Sequence, residues 1–213
     1  ISACLVGSEM CIRDRDKAHD AQVANAAGPS IYQDGYLHLG NPNSKVKISI
    51  TEDFGCTACK AFEAGSGAYM SQLIAAGKVD AAYRPIALID ANFQGATDYS
   101  ARSAAAAACV AEGDLSKWYA FHTTLFDNQP AEGSPGGLSD QQLAQYAAAA
   151  GVTDPGVSAC ISSDKYKAFA DKVNTQALKE ITATPTIKIN GVQYEWKDPA
   201  SFQAAVTKAG AAK

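Results

Sequence analysis

Two cysteines three positions apart, in Cys56-Thr57-Ala58-Cys59, form the pair in this sequence best suited to chemistry. Such a pair either grips a metal or exchanges disulfides. A structural zinc ion takes four ligands, and the other candidates are scattered: Cys109 and Cys160 each stand alone in helical patterning, and His122 lies in an aromatic segment. No second ligand pair at knuckle spacing exists, so neither a metal nor an organic cofactor is expected. The redox reading has its own physical basis. A cysteine at the first turn of a helix meets the partial positive charge and unpaired N–H groups of that terminus, which favour thiolate over thiol. A more acidic thiol leaves faster in disulfide exchange and makes its disulfide more oxidising. Cys59, one turn on, is spaced to close or open the bond with Cys56.

The flanking residues supply the elements such a pair needs. Val46, Ile48 and Ile50 alternate with Lys47 and Ser49, as in a strand with one buried face, and the strand runs directly to Cys56. From Cys59 to Ala76, Phe62, Tyr69, Leu73 and Ile74 recur at helical spacing and Gly77 is a stop signal; a second strand, Val79 to Ile89, follows. Strand, helix, strand opens an α/β domain with the cysteine pair at the first junction. The middle of the chain predicts helices around Ser100 to Val110, Trp118 to Phe126, Gln141 to Ala150 and Tyr166 to Leu178. Breaks fall at Gly113-Asp114, from Pro130 to Gly137 and at Asp154-Pro155-Gly156, with Ser139 and Asp164 as candidate caps. Strand character returns at Thr186 to Ile189, turns at Asn190-Gly191 and continues through Val192, Tyr194 and Trp196 before a last helix from Pro199 to Gly210. Near the start, Asp34-Gly35 predicts a hairpin within Ile31 to Leu39, and Asp16 to Ser30 reads as a disordered linker.

With 213 residues and 47% hydrophobic content the chain can bury a sizeable core. A net charge of -4 without runs of Lys or Arg gives no footprint for nucleic acid or an anionic membrane surface, and no apolar stretch is long enough to span a bilayer. Ile1 to Arg15 spells what looks like a translated sequencing adapter, so an export signal or anchor is expected to be missing, and Cys4 and Cys11 leave the count. Cys56, Cys59, Cys109 and Cys160 remain.

Glu52-Asp53-Phe54-Gly55-Cys56-Thr57-Ala58-Cys59-Lys60-Ala61-Phe62-Glu63, Tyr83-Arg84-Pro85, Phe121-His122-Thr123-Thr124-Leu125-Phe126, and Thr184-Pro185-Thr186 ahead of Asn190-Gly191 resemble the DsbA-like family, most closely its actinobacterial, extracytoplasmic branch. The resemblance runs from about Ile31 to the C-terminus. It implies a thioredoxin fold, α/β, with an inserted helical domain: an N-terminal segment at 1–30, the first part of the thioredoxin-like domain at 31–97, the insert at 98–180 and the second part at 181–213. It implies Cys56 and Cys59 as the catalytic pair, with Thr57, Ala58, Thr184 and a cis Pro185 as active-site support. It also implies a structural disulfide between Cys109 and Cys160 across two helices of the insert, the alternative being two unpaired buried thiols. Implied partners are unfolded or reduced exported proteins and a membrane partner passing electrons to quinone; a monomer is expected.

Two positions depart from the family. Most relatives carry Pro after the first cysteine and the best-known oxidase His before the second, where this chain has Thr57 and Ala58. Neither supplies positive charge, so a weaker oxidant is expected, with isomerase or reductase as the alternative poise and a noncatalytic chaperone module with a fixed disulfide as the alternative class. Glu52 and Asp53 could relay a proton to Cys59, but surface charge is the expectation for acids. His122 and Trp118 share a helical face with Leu125 and are expected to be packing residues.

Overall fold

The computed structural model describes residues 17–18, 20–94 and 97–211; the adapter-like segment at 1–15 lies outside them. Among these residues six strands form one mixed sheet in the order β1-β2-β4-β3-β5-β6. The strands are β1 (Tyr32–Gln33), β2 (Tyr36–Gly40), β3 (Lys47–Glu52), β4 (Asp80–Pro85), β5 (Thr186–Ile189) and β6 (Val192–Tyr194). β3 is central, parallel to β4 and antiparallel to β5, so Ile50 stands opposite both Tyr83 and Ile187. Both short hairpins are built as their turns dictate. Asp34 and Gly35 have φ of 50° and 80°, Asn190 and Gly191 50° and 82°, the left-handed pair that matches strand twist in a two-residue turn.

The helices are α1 (Thr57–Ala75), α2 (Leu88–Asn92), α3 (Tyr99–Gly113), α4 (Trp118–Asp127), α5 (Asp140–Ala149), α6 (Pro155–Ser162), α7 (Lys167–Ala177) and α8 (Pro199–Ala211). Between β4 and β5 the described residues form helices and loops only. α1 and α8 meet through Phe62 and Phe202, ring centroids 5.4 Å apart, and every residue of β4 is buried, as befits a strand covered on both faces. Ile48 and Ile50 are fully buried beneath them, worth about 1.5–3 kcal/mol each. Cys109 on α3 and Cys160 on α6 are joined by a disulfide. No helix among the described residues is long and apolar enough to cross a membrane.

Several local expectations are corrected. The second strand stops at Pro85 instead of Ile89, because the buried Asp53 carboxylate accepts from the Ile89 N–H at 2.8 Å and starts α2 there. Asp154-Pro155-Gly156 is a helix start: Asp154 accepts from the Gly156 N–H at 2.8 Å with Pro155 in the first turn, opening α6. Ser139 caps α5 in a reciprocal box with Gln142, but Asp164 caps nothing with its side chain; its backbone, at φ 53°, accepts from the Lys167 N–H. Trp196 leaves the last strand and donates its indole N–H to Ser66 on α1. The linker is partly ordered: residues 20–24 are helical, Pro29 is buried and the Ala26 carbonyl accepts from Lys172 on α7.

Candidate active site

The end of β3 and the start of α1 fix Cys56. Its backbone is the extended cap residue of α1 (φ -84°, ψ 124°), and its N–H donates to the Asp53 carbonyl at 3.0 Å. Because β5 runs antiparallel to β3 with Thr186 opposite Thr51, the residues before β5 lie against the loop leaving β3. The Thr184–Pro185 peptide is cis, and the Thr184 carbonyl stands 3.5 Å from Cys56 Sγ. Gln129, just beyond α4, donates to the carbonyls of Phe54 and Cys56, both at 2.9 Å, and holds the loop from the other side. Thr57 and Ala58 form the first helical residues between the two cysteines.

Cys56 and Cys59 are free thiols in this structure, with 7% and 1% of their surface exposed. Their acidities are driven apart. The Cys59 thiol, against the pull of burial, and then the N–H groups of Cys59 and Ala58, lower Cys56 from 9.0 to about 6. The Thr184 carbonyl accepts from the protonated thiol and so acts on the neutral form. Cys59 is raised well above the usual thiol range, first by burial and then by its bond and charge relation to Cys56; the Asp53 N–H, 3.5 Å from its sulfur, opposes this only in part. One thiol is an anion at neutral pH and its neighbour holds its proton. That is the arrangement of an attacking or leaving sulfur beside a resolving one.

Behind the pair the structure overturns two expectations. Glu52 and Asp53 are not surface residues; they are 2% and 0% exposed. Asp53 accepts from the N–H groups of Gly55 (2.6 Å) and Ile89 and from Ser100 Oγ (2.5 Å), yet burial still raises it to about 7. Glu52 lies 2.8 Å from His122 Nε2, and Glu63 Oε1 lies 3.7 Å from His122 Nδ1. His122 is therefore more than a packing residue, although it stacks on Trp118 with centroids 5.0 Å apart. Burial alone would lower its basicity, but two carboxylates push it up to about 10, so it is an imidazolium. Burial raises Glu52; in Glu63 the opposite pull of His122, with bonds from Thr123 and Tyr119, outweighs burial and lowers it. Among the described residues no group of His, Cys, Asp or Glu is arranged to hold a metal ion.

One contact had no signal in the sequence. Glu132, in the glycine- and proline-rich break between α4 and α5, accepts from the Thr57 N–H at 2.8 Å and from Thr57 Oγ1 at 2.9 Å. It serves as the side-chain cap that α1 does not supply itself. Neither its type nor its spacing marks it, since its partner is 75 positions away.

A family profile described as thioredoxin matches residues 33–208. The reduced structure of DsbA from Mycobacterium tuberculosis is 34% identical, matching 84% of this chain and 93% of that one with a TM-score of 0.71. Reduced DsbG from the same organism, a disulfide bond oxidoreductase, is 35% identical over 90% of this chain and 93% of that one, TM-score 0.69. MdbA from Corynebacterium matruchotii, a thiol-disulfide oxidoreductase, shares the fold at 22% identity, 91% and 98% coverage and a TM-score of 0.70. No curated protein matches. A central β3 feeding a thiol pair into α1, a cis proline opposite and these relatives together make the chain a protein disulfide oxidoreductase, a member of the thioredoxin-fold DsbA-like family.

Proposed function

We propose that the chain is an oxidase that introduces disulfides into exported proteins outside the cytoplasm, with Cys56 and Cys59 as its catalytic pair. The reading is carried by the opposed acidities of the two thiols at the start of α1. In the disulfide form, a substrate thiolate attacks Cys56 Sγ. The Cys56–Cys59 bond breaks, a bond between substrate and Cys56 forms, and Cys59 leaves as thiolate and takes up a proton. A second substrate thiolate attacks the substrate sulfur of this mixed disulfide and expels Cys56 as the stabilised thiolate. Two electrons have passed to the enzyme, which a membrane partner linked to quinone removes. Thr184 and cis Pro185 present backbone to the bound substrate strand beside Cys56, and the helical insert, residues 98–180, lines the groove. Reaction needs only sulfur chemistry, without metal or organic cofactor.

Trapping tests the catalytic assignment. Cys59→Ala, which lacks the resolving thiol, is expected to accumulate mixed disulfides with exported proteins through Cys56, and a folded variant that captures none defeats the assignment. A second poise, isomerase or reductase, is favoured by the uncharged Thr57 and Ala58 between the cysteines. The reduction potential separates the two. A couple more positive than about -200 mV supports the oxidase, whereas one near about -270 mV places the enzyme with reductants.

A further inference from the structure

The helix start that steadies the Cys56 thiolate is not free. The first N–H of α1, on Thr57, is taken by a carboxylate from another part of the chain, and the same oxygen of Glu132 also accepts from the Thr57 hydroxyl. The loop that delivers it is pinned on both sides. Upstream, the Gln129 amide is fastened to the carbonyls of Phe54 and Cys56. Downstream, Arg102 on α3 donates to the Gly136 carbonyl at 2.7 Å, the Leu138 carbonyl at 2.6 Å and Asp140 at 2.9 Å. Between them Gly133, at φ 71°, lies against the ring of Phe93, a close approach that a side chain there could not make. Glu132 is therefore placed by the fold, next to the residue that follows Cys56.

A negative charge at a helix N-terminus is favourable for the helix and unfavourable for a second anion at the same terminus. Resting on the catalytic assignment of Cys56 and Cys59, we propose that Glu132 is a positioning residue that restrains the oxidising strength of this pair by occupying the start of α1 with its own negative charge. Removing the charge frees the Cys56 thiolate from that competing anion at the terminus. The reduced enzyme is then favoured, and the disulfide becomes a stronger oxidant. Of the other charged groups, Lys60 lies on the first turn of α1, and Glu52, Asp53, Glu63 and His122 are buried behind it; all are common to the variants compared.

The test compares Glu132→Gln and Glu132→Ala with the parent protein. Glutamine keeps an oxygen that can accept from Thr57 and loses only the charge, and Glu132 is exposed, so neither change opens a cavity. Thiolate absorbance against pH reads the acidity of Cys56, and equilibration with glutathione at pH 7 reads the potential. Interaction of one surface charge with a helix terminus corresponds to about a two- to fivefold change in equilibrium. The glutathione equilibrium of Glu132→Gln is expected to move by about that factor toward reduced enzyme, about 9 to 21 mV for a two-electron couple, with the Cys56 midpoint lowered by about 0.3 to 0.7. Glu132→Ala moves at least as far, because it also frees the Thr57 N–H. An unchanged or higher midpoint in Glu132→Gln overturns the proposal, as does a shift confined to Glu132→Ala. Failure of the parent protein to exchange with glutathione at all sinks the catalytic assignment instead.

Discussion

The acidity of Cys56 can be followed to a rate. Its midpoint is lowered from 9.0 to about 6. At pH 7 about 90% of the sulfur is then thiolate against about 1% for an ordinary thiol, a gain of about ninetyfold. Intrinsic nucleophilicity falls with basicity by a factor of about twenty over three pH units at a Brønsted coefficient of about 0.45. The net advantage over an ordinary thiol toward a small disulfide reagent is therefore about fourfold at pH 7, growing to about fortyfold at pH 5, where an ordinary thiol has almost no thiolate. The largest cause is the hydrogen bond from Cys59. A hydrogen bond to a charged group is worth about 1.5–3 kcal/mol, so Cys59→Ala is expected to raise the Cys56 midpoint by about 1–2 units while Cys59→Ser, which keeps a donor, raises it less. The assay is the initial rate of reaction with a chromogenic disulfide from pH 4 to 10, beside thiolate absorbance. A midpoint near 9 in the parent protein, or one unmoved in Cys59→Ala, refutes the reasoning. Linkage gives the stability of the reduced form. The folded value is depressed, so this contribution is complete above about pH 9 and is lost as pH falls through about 6. At pH 7 it is at most about 1.4 kcal/mol, equivalent to about 30 mV, and solvent at the helix start screens part of it.

Three further outcomes are expected. His122→Ala leaves two buried carboxylates without their cation and costs about 3–5 kcal/mol in urea denaturation; a loss below about 1 kcal/mol means the imidazolium is not there. Replacing Cys109 and Cys160 together by serine removes a bridge across 51 positions and lowers stability by about 4 kcal/mol on the chain-entropy account, to be compared with the parent by chemical denaturation at one redox state of Cys56 and Cys59. Asp53 is raised from 3.8 to about 7, so its contribution is fully present below about pH 4 and declines as pH rises through 7. Asp53→Asn should flatten the stability profile between pH 4 and 7, and a slope equal to that of the parent would falsify the assignment of the buried acid.

What the sequence discloses here is local. Asp34-Gly35 and Asn190-Gly191 name their turns because the left-handed geometry is decided by those residues themselves. α1 and the strand before it are legible from periodicity, and the cysteine pair from its spacing, once the helix is in place. Interactions set by distant chain segments are not. Acids are exposed in most proteins, and nothing near Glu52 reveals that His122, 70 positions on, neutralises it in the interior. α2 exists where a strand was expected because a carboxylate 36 positions upstream accepts its N–H. The disulfide of Cys109 with Cys160 is implied by likeness to relatives, and the residues alone leave two small buried thiols as the alternative.

The two sides of the site are 128 positions apart, Cys56 near the beginning of the fold and Thr184 near its end. A chain threaded amino end first shows its thiols to the surroundings while the carbonyl that will face them is still to come. Without β5 and β6 paired onto β3 the Thr184 carbonyl is not held opposite Cys56, whereas the groups of Cys59 and Ala58 that lower the Cys56 thiol lie on its own helix. A product clipped before Thr184 keeps both sulfurs and loses the carbonyl that stands across from them.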